Sequence, residues 1–258
     1  MPAPSPDRRL PALLAILLAA CGPNADPAAE SLDGTRPALG LMTSLPLYWP
    51  LGADLADIAS GTAVPPWQRA ALEARHALVL LDTLSPIPAL ASGEEETDPL
   101  AGLTRLAIIQ PRGLAPADNV ALDTWVRGGG RLLLVLDPML TGDYDVALGD
   151  PRRPSDVALI PPVVARWGLE ITFDEEQDAA PRAVQLGTAT IPLALAGKVR
   201  PGAEAVGRCR QALEGAAARC RVGRGQVTVL ADAAVFEDSV TSDMASAGIA
   251  AVLDFAFE

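Results

Sequence analysis

Aromatic residues make up only 4% of this 258-residue chain, which has a single histidine, His76, and only three cysteines. Basic side chains are also scarce: 20 Lys and Arg stand against 32 Asp and Glu, for a net charge of −12. Neutralising phosphates along a nucleic acid needs clustered Lys and Arg, so this balance excludes nonspecific nucleic-acid binding. One histidine cannot supply the several His or Cys ligands of a zinc site. Its place between a helix and a strand suits a packed or solvated residue. The chain has no Cys-x-x-Cys, no Gly-x-Ser-x-Gly elbow and no internal repeat. The run Gly128-Gly129-Gly130 precedes a strand instead of following one, so it stops a helix and does not cradle phosphate. Asp143, Asp145 and Asp150 lack the ligand order and glycine of an EF-hand. No apolar run approaches the ~20 residues that span a bilayer. Neither a metal nor a cofactor is expected.

Half of the chain is hydrophobic. Its length allows an ample core without help from disulfides. Collagen-like, coiled-coil and disordered compositions are excluded. At the N-terminus, Asp7-Arg8-Arg9 precedes an apolar run, Leu10 to Ala20, that ends in Leu18-Ala19-Ala20-Cys21. A charged start, a short apolar stretch and small residues before a cut make a secretory signal over residues 1–20. Leu-Ala-Ala-Cys also resembles the lipobox of bacterial lipoproteins. That resemblance implies cleavage before Cys21 and acylation of its thiol and new amino terminus. Each buried CH2 of such chains contributes about 0.8 kcal/mol of membrane affinity. Residues 21–37 lack periodicity and read as a lipidated tether. The implied location is the periplasmic side of a bacterial envelope. Gly22 in place of Asp leans to the outer membrane, if the sorting rule of enteric bacteria applies.

The two remaining cysteines, Cys209 and Cys220, suit a disulfide in an oxidising compartment. A hairpin turning at Glu214-Gly215 would set them face to face across two strands. An Ala-rich helix over Gln211–Arg219 would instead separate them by about 16 Å and forbid the bond. The hairpin is the preferred reading.

Short apolar runs at Ala38–Thr43, Ala77–Leu81, Arg105–Ile109, Arg131–Leu136 and Val227–Ala231 predict buried strands covered on both faces. Helical spacing appears over Pro66–Ala74, over Pro116–Val126 with an apolar face of Ala117, Val120, Ala121, Leu122 and Trp125, over Asp156–Trp167 and over Ser242–Ala256. Alternating strands and helices predict a layered α/β fold with a parallel sheet over residues 38–258. Residues 169–226 break the rhythm. Short strands at Leu169–Phe173, Arg182–Leu186, Thr190–Leu195, Ala203–Arg210 and Arg219–Val222 predict a β-rich insertion there. Glu94-Glu95-Glu96 reads as a solvated acidic loop.

In open α/β sheets ligands lie beyond the carboxyl ends of the strands. That rule selects Thr43, Ser44, Tyr48, Trp49, Asp82, Thr83, Gln110, Arg112, Asp137, Asp232, Phe236, Glu237 and Asp238 as a candidate rim for a polar ligand, a sugar or a peptide. For any one of these, a structural role as a helix or turn cap competes. Two carboxylates about 5–10 Å apart can hydrolyse a glycosidic bond, so Asp137, Asp232 and Glu237 carry the alternative of a periplasmic hydrolase.

Leu103-Thr-Arg-Leu-Ala-Ile-Ile-Gln-Pro-Arg-Gly-Leu-Ala-Pro-Ala-Asp, then Leu122-Asp-Thr-Trp-Val-Arg-Gly-Gly-Gly-Arg-Leu-Leu-Leu-Val-Leu-Asp-Pro, carry a family likeness. With Gly223-Arg-Gly-Gln-Val-Thr-Val-Leu-Ala-Asp-Ala, they resemble the glutamine-amidotransferase-like domain of auxiliary components of ABC-type transport systems, including gliding-motility ones. The likeness covers roughly residues 38–168 and 223–258. It implies a flavodoxin-like or class I amidotransferase-like sheet. Class I amidotransferases carry a cysteine on a sharp turn after a strand, with a distal His and Glu. Here the strand that ends in Asp137-Pro138 has no cysteine, Cys209 and Cys220 fall in the insertion and no histidine follows His76, so that catalytic set does not transfer. The expectation is a lipid-anchored, non-catalytic envelope protein whose partners are the membrane and transporter components.

Overall fold

The computed structural model describes Met1, residues 36–89, Gly93, residues 95–237 and residues 242–258. Residues 2–20 of the signal segment, Cys21, most of the tether, Glu94 and Asp238 lie outside the described residues. The strands and helices belong to the unit Asp33–Glu258.

In chain order the strands are β1 Ala38–Thr43, β2 Ala77–Leu80, β3 Arg105–Ile109, β4 Arg131–Val135, β5 Leu169–Thr172, β6 Arg182–Leu186, β7 Ala189–Leu193, β8 Lys198–Pro201, β9 Cys209–Ala212, β10 Ala217–Val222 and β11 Gly225–Leu230. The helices are α1 Leu55–Ser60, α2 Trp67–Glu73, α3 Pro116–Gly128, α4 Pro162–Arg166 and α5 Ser242–Phe257. Seven strands form one sheet in the order β2-β1-β3-β4-β11-β10-β9. The first five of these are mutually parallel; β10 and β9 extend the sheet antiparallel.

Both faces of the sheet are buried, and the two-residue period of a strand decides which side chain goes where. Leu39, Leu41, Ile109, Leu133 and Val135 pack with Leu72 of α2, with α5 and with the β6–β7 hairpin. Leu106, Ile108, Leu132, Leu134 and Val229 pack with α3, α4 and Trp167 on the other face. This is why the strands read as continuous apolar runs. β11 enters the sheet at Gly225, where a Cβ would stand 2.0 Å from the Val126 carbonyl oxygen and 2.4 Å from that of Gly130. Only glycine lets this strand start so close to the end of α3.

Four sequence expectations need correction. The helix expected over Asp156–Trp167 is confined to α4, Pro162–Arg166. Two successive prolines, Pro161 and Pro162, withhold amide donors and force the preceding residue to be extended, so the helix begins only there. The buried face of α3 is Asp118, Leu122, Asp123 and Val126, whereas Val120 is 67% exposed. Two aspartates belong to that face because their carboxylates accept hydrogen bonds from neighbouring elements. The segment expected as a strand over Ala203–Arg210 is a turn and a short 3-10 helix, with only Cys209 and Arg210 in β9. Finally, the last hairpin of the expected insertion is not separate: β9 and β10 continue the main sheet.

That hairpin turns through Leu213, Glu214 and Gly215, all at positive φ. Cys209 sits opposite Cys220, with the two Cα atoms 4.0 Å apart and the disulfide formed. The tie closes a short loop, so its main effect is on the unfolded chain. Replacing both cysteines by serine should lower stability by about 2–3 kcal/mol, read as a shift in urea midpoint at unchanged slope.

Candidate functional site

β1 leads to β2 on one side and to β3 on the other, so the sheet order reverses between β1 and β3. The crevice beyond their carboxyl ends is where such sheets place ligands. Most of the rim residues gather at this end of the sheet, and they do three different jobs.

The carboxylates are latches. Asp137 is 1% exposed; its Oδ1 accepts from the Met139 amide at 2.8 Å and its Oδ2 from the Ala233 amide at 2.7 Å. Asp232, also 1% exposed, accepts from the amides of Ala194 at 2.8 Å and Ala234 at 2.7 Å. Glu237 is 2% exposed and receives Gly142 N at 2.8 Å, the Tyr144 hydroxyl at 2.9 Å and the Thr141 hydroxyl at 3.0 Å. These three acids fasten the loops after β4, β7 and β11 to one another. Burial pushes the Asp137 carboxyl up to about 7, with the nearby Glu237 charge adding to it. Burial, then the charges of Asp137 and Glu237, push Asp232 up to about 8.

Gln110 is the staple. It is fully buried and sits on the turn after β3 at φ 44°, a left-handed conformation that is uncommon for a residue with a Cβ. Its side chain accepts from the Asp137 amide at 2.8 Å and donates to the carbonyls of Asp137 at 3.1 Å and Ser155 at 2.9 Å. Its own carbonyl takes the Ser44 amide at 3.3 Å and the Ser44 hydroxyl. The ends of β1, β3 and β4 are thereby joined through one residue, β4 by its amide side chain and β1 by its backbone carbonyl. Tyr48 bridges the ends of β1 and β2, its hydroxyl lying 2.7 Å from the Leu41 carbonyl and 3.4 Å from that of Leu81, directly after β2. Burial and the charge of Asp82 push its phenol up to about 12, so it stays a neutral donor.

Thr43, Ser44, Trp49 and Arg112 border open space. A cleft of about 430 Å3 lies over the reversal point, bounded by Thr43, Ser44, Tyr48, Trp49, Leu51, Ile58, Arg112 and Arg152. Arg112 is exposed and makes no ion pair among the described residues. Arg152 is held by Asp150 through two contacts, at 3.0 and 2.7 Å. Trp49 carries the Arg69 guanidinium over its ring at 4.9 Å. A second cleft of about 520 Å3 adjoins through Pro46, Pro50 and Leu51, and adds Thr141, Asp143, Tyr144 and Asp145. Arg152 and the proline floor carried no sequence signal: they come from connections without periodicity, and only the fold brings them to Arg112.

Asp82 is exposed at the edge of this end. Thr83 turns away from the clefts and donates to Asp118 at 2.9 Å. Phe236 is buried in the core. His76 is packed edge-on against Phe257, with ring centroids 6.0 Å apart, and takes no part in the rim.

No protein family and no curated protein matches the chain. Among solved structures, the exo-β-1,4-mannosidase Op5Man5 from Opitutaceae bacterium strain TAV5 is similar at 14% identity and a TM-score of 0.45, over 84% of this chain and 36% of that one. A cold-adapted β-galactosidase from Rahnella sp. R3 aligns at 12% identity and a TM-score of 0.44, over 85% of this chain and 31% of that one. A β-galactosidase from Bacillus circulans sp. alkalophilus aligns at 10% identity and a TM-score of 0.43, again over 85% and 31%. The chain thus spans about a third of the length of each of these glycosidases.

Proposed function

We propose that this chain is a lipid-anchored, non-catalytic accessory protein of a bacterial ABC-type transport system, with a class I amidotransferase-like domain that binds where its relatives react. The parallel order β2-β1-β3-β4-β11 fits the flavodoxin-like 2-1-3-4-5 arrangement. One observation carries the loss of chemistry. The left-handed turn directly after a central strand, the kind of position where class I amidotransferases hold their cysteine, is occupied here by Gln110. An amide locked by three hydrogen bonds has no nucleophilic atom to offer.

The carboxylates favour the same reading over hydrolysis. A general acid or base must reach substrate. Asp137 and Asp232 spend both oxygens on backbone amides under a closed surface. What remains accessible is the cleft with Arg112, Arg152 and Trp49. Its apolar walls and unpaired guanidinium suit an acidic, partly apolar segment of a partner. The disulfide accords with an exported domain, and Leu18-Ala19-Ala20-Cys21 supplies the anchor. Among the described residues no helix is long and apolar enough to cross a membrane.

Two measurements test this. Mass spectrometry of the N-terminus should find acylated Cys21, and Cys21→Ser should release the protein from the membrane fraction. A photo-crosslinking amino acid at position 112 should yield a discrete adduct with a transporter component, and one at the outward-facing Thr124 should not. Unmodified Cys21 on an uncut chain would refute the anchor. Turnover of a chromogenic glycoside that disappears in Asp137→Asn would refute the non-catalytic role.

A further inference from the structure

Another polar cavity lies at the opposite part of the sheet, away from the strand-end clefts. It has a volume of about 320 Å3 and is lined by Arg208, Arg210, Arg219, Arg221, Gln226 and the Cys209–Cys220 disulfide. Four arginines meet here in a chain whose net charge is −12. No carboxylate lines the cavity, and none of the four forms an ion pair among the described residues.

Part of this arrangement has a structural explanation. Arg219 donates to the Phe255 carbonyl at 2.9 Å and lies over the Phe255 ring at 5.2 Å. The neighbouring Arg131 donates to the Phe257 carbonyl. Both therefore sit at the negative end of α5, where cations are stabilised. Arg208 and Arg221 have no such role, and Arg210 shares only the contact with the Phe255 ring. Arg208 and Arg221 are exposed, with no side-chain hydrogen bond among the described residues. Arg210 lies over Phe255 at 5.9 Å and stands directly opposite Arg219 in the β9–β10 register. Like charges opposed across a strand pair destabilise it. Burial, then Arg210 and Arg131, hold the Arg219 guanidinium below its ordinary value. The disulfide one position along fixes the two strands, so the arginines cannot separate to relieve the repulsion. A rigid, like-charged cluster of planar donors around a cavity is arranged for an anion with several oxygens.

We propose that this cavity binds a phosphate-bearing anion, gripped by Arg208, Arg210 and Arg221 with Gln226 and Arg219 behind them. A soluble phosphate and a lipid phosphomonoester present the same oxygens, so the test has an arm for each source. The full chain is used with Cys21→Ser, which removes the acylation site and keeps the anchor from obscuring lipid binding. In the first arm, pyrophosphate at about ten times its dissociation constant should raise the melting temperature by about 3–6 °C over sodium chloride of equal ionic strength. In the second, phosphatidylcholine vesicles containing phosphatidic acid should float the protein, and pure phosphatidylcholine vesicles should not. Arg210 and Arg221 are exposed, so Arg210→Gln with Arg221→Gln leaves the core intact and should abolish whichever signal is seen. A signal in the first arm assigns a soluble ligand; a signal in the second alone assigns a lipid headgroup. Silence in both arms, or a signal that survives the double substitution, overturns the proposal.

Discussion

Replacing Asp137 by alanine should cost about 2–5 kcal/mol of folding stability at pH 5.5. The carboxyl is neutral at that pH, so its removal relieves no buried charge. What is lost is the acceptor for two amides, the buried Ala233 N and the part-buried Met139 N. A buried donor left without a partner costs about 1–3 kcal/mol. For a domain of this size the melting temperature should fall by roughly 5–15 °C. Asp137→Asn keeps one acceptor and should lose about half as much. The exposed Asp82, changed to alanine, should stay within about 0.5 kcal/mol of the parent. A loss below 1 kcal/mol for Asp137→Ala would mean that the loops after β4 and β11 are held by something other than this carboxylate.

The same latch shows what a sequence can and cannot reveal about such a site. Position was legible: Asp137 and Asp232 follow apolar runs that had to be strands, and parallel strands bring their ends together. Occupancy was not. A carboxylate that awaits a ligand and one whose lone pairs are taken by backbone amides are written with the same letter. The partners of Glu237 lie 93–96 residues away in the chain, and one partner of Gln68, the Phe236 carbonyl, is 168 residues distant.

Local structure divides along similar lines. β1, β3 and β6 were legible to the residue because they are bounded by turns and buried on alternating or both faces. α1 has no buried residue, so it leaves no apolar period. Only its ends spoke for it, Asp54 accepting from Ala56 N at 2.7 Å and Gly61 at φ 72°. β8 was missed because four residues between Gly197 and Gly202, ending in proline, resemble a loop until β5 pairs with them.

Thermal stability should fall as the pH is raised from about 5 to about 9. Asp137 titrates near 7 and Asp232 near 8 in the folded chain, against 3.8 for an ordinary aspartate. Between these values the folded state holds protons that the unfolded state has released, so the unfolded state gains relative stability with each step in pH. The contribution is complete below about pH 4 and is lost as pH passes through 7 and then 8. A displacement of one unit corresponds to about 1.4 kcal/mol. Two groups displaced by several units make the loss on the order of several kcal/mol, and the fall in melting temperature should exceed about 10 °C. Two opposing effects bound the window. His76 is buried as the neutral ring, and burial with the charges of Arg105 and Arg75 lowers its titration, so it favours the higher pH below about 6.5. Hydrogen bonds outweigh burial at Asp118 and Asp123 and hold both below the ordinary range, so their contributions disappear in acid. The maximum should therefore lie between about pH 4.5 and 6.5. In Asp137→Asn one titrating group is gone and Asp232 loses its strongest charged neighbour. The decline between pH 6 and 9 should shrink by about half, and its midpoint should move to lower pH. A flat or rising melting temperature over that interval in the parent protein would mean that Asp137 and Asp232 are solvated or ionised in the folded state. The loops they join would then have to open far enough to admit water.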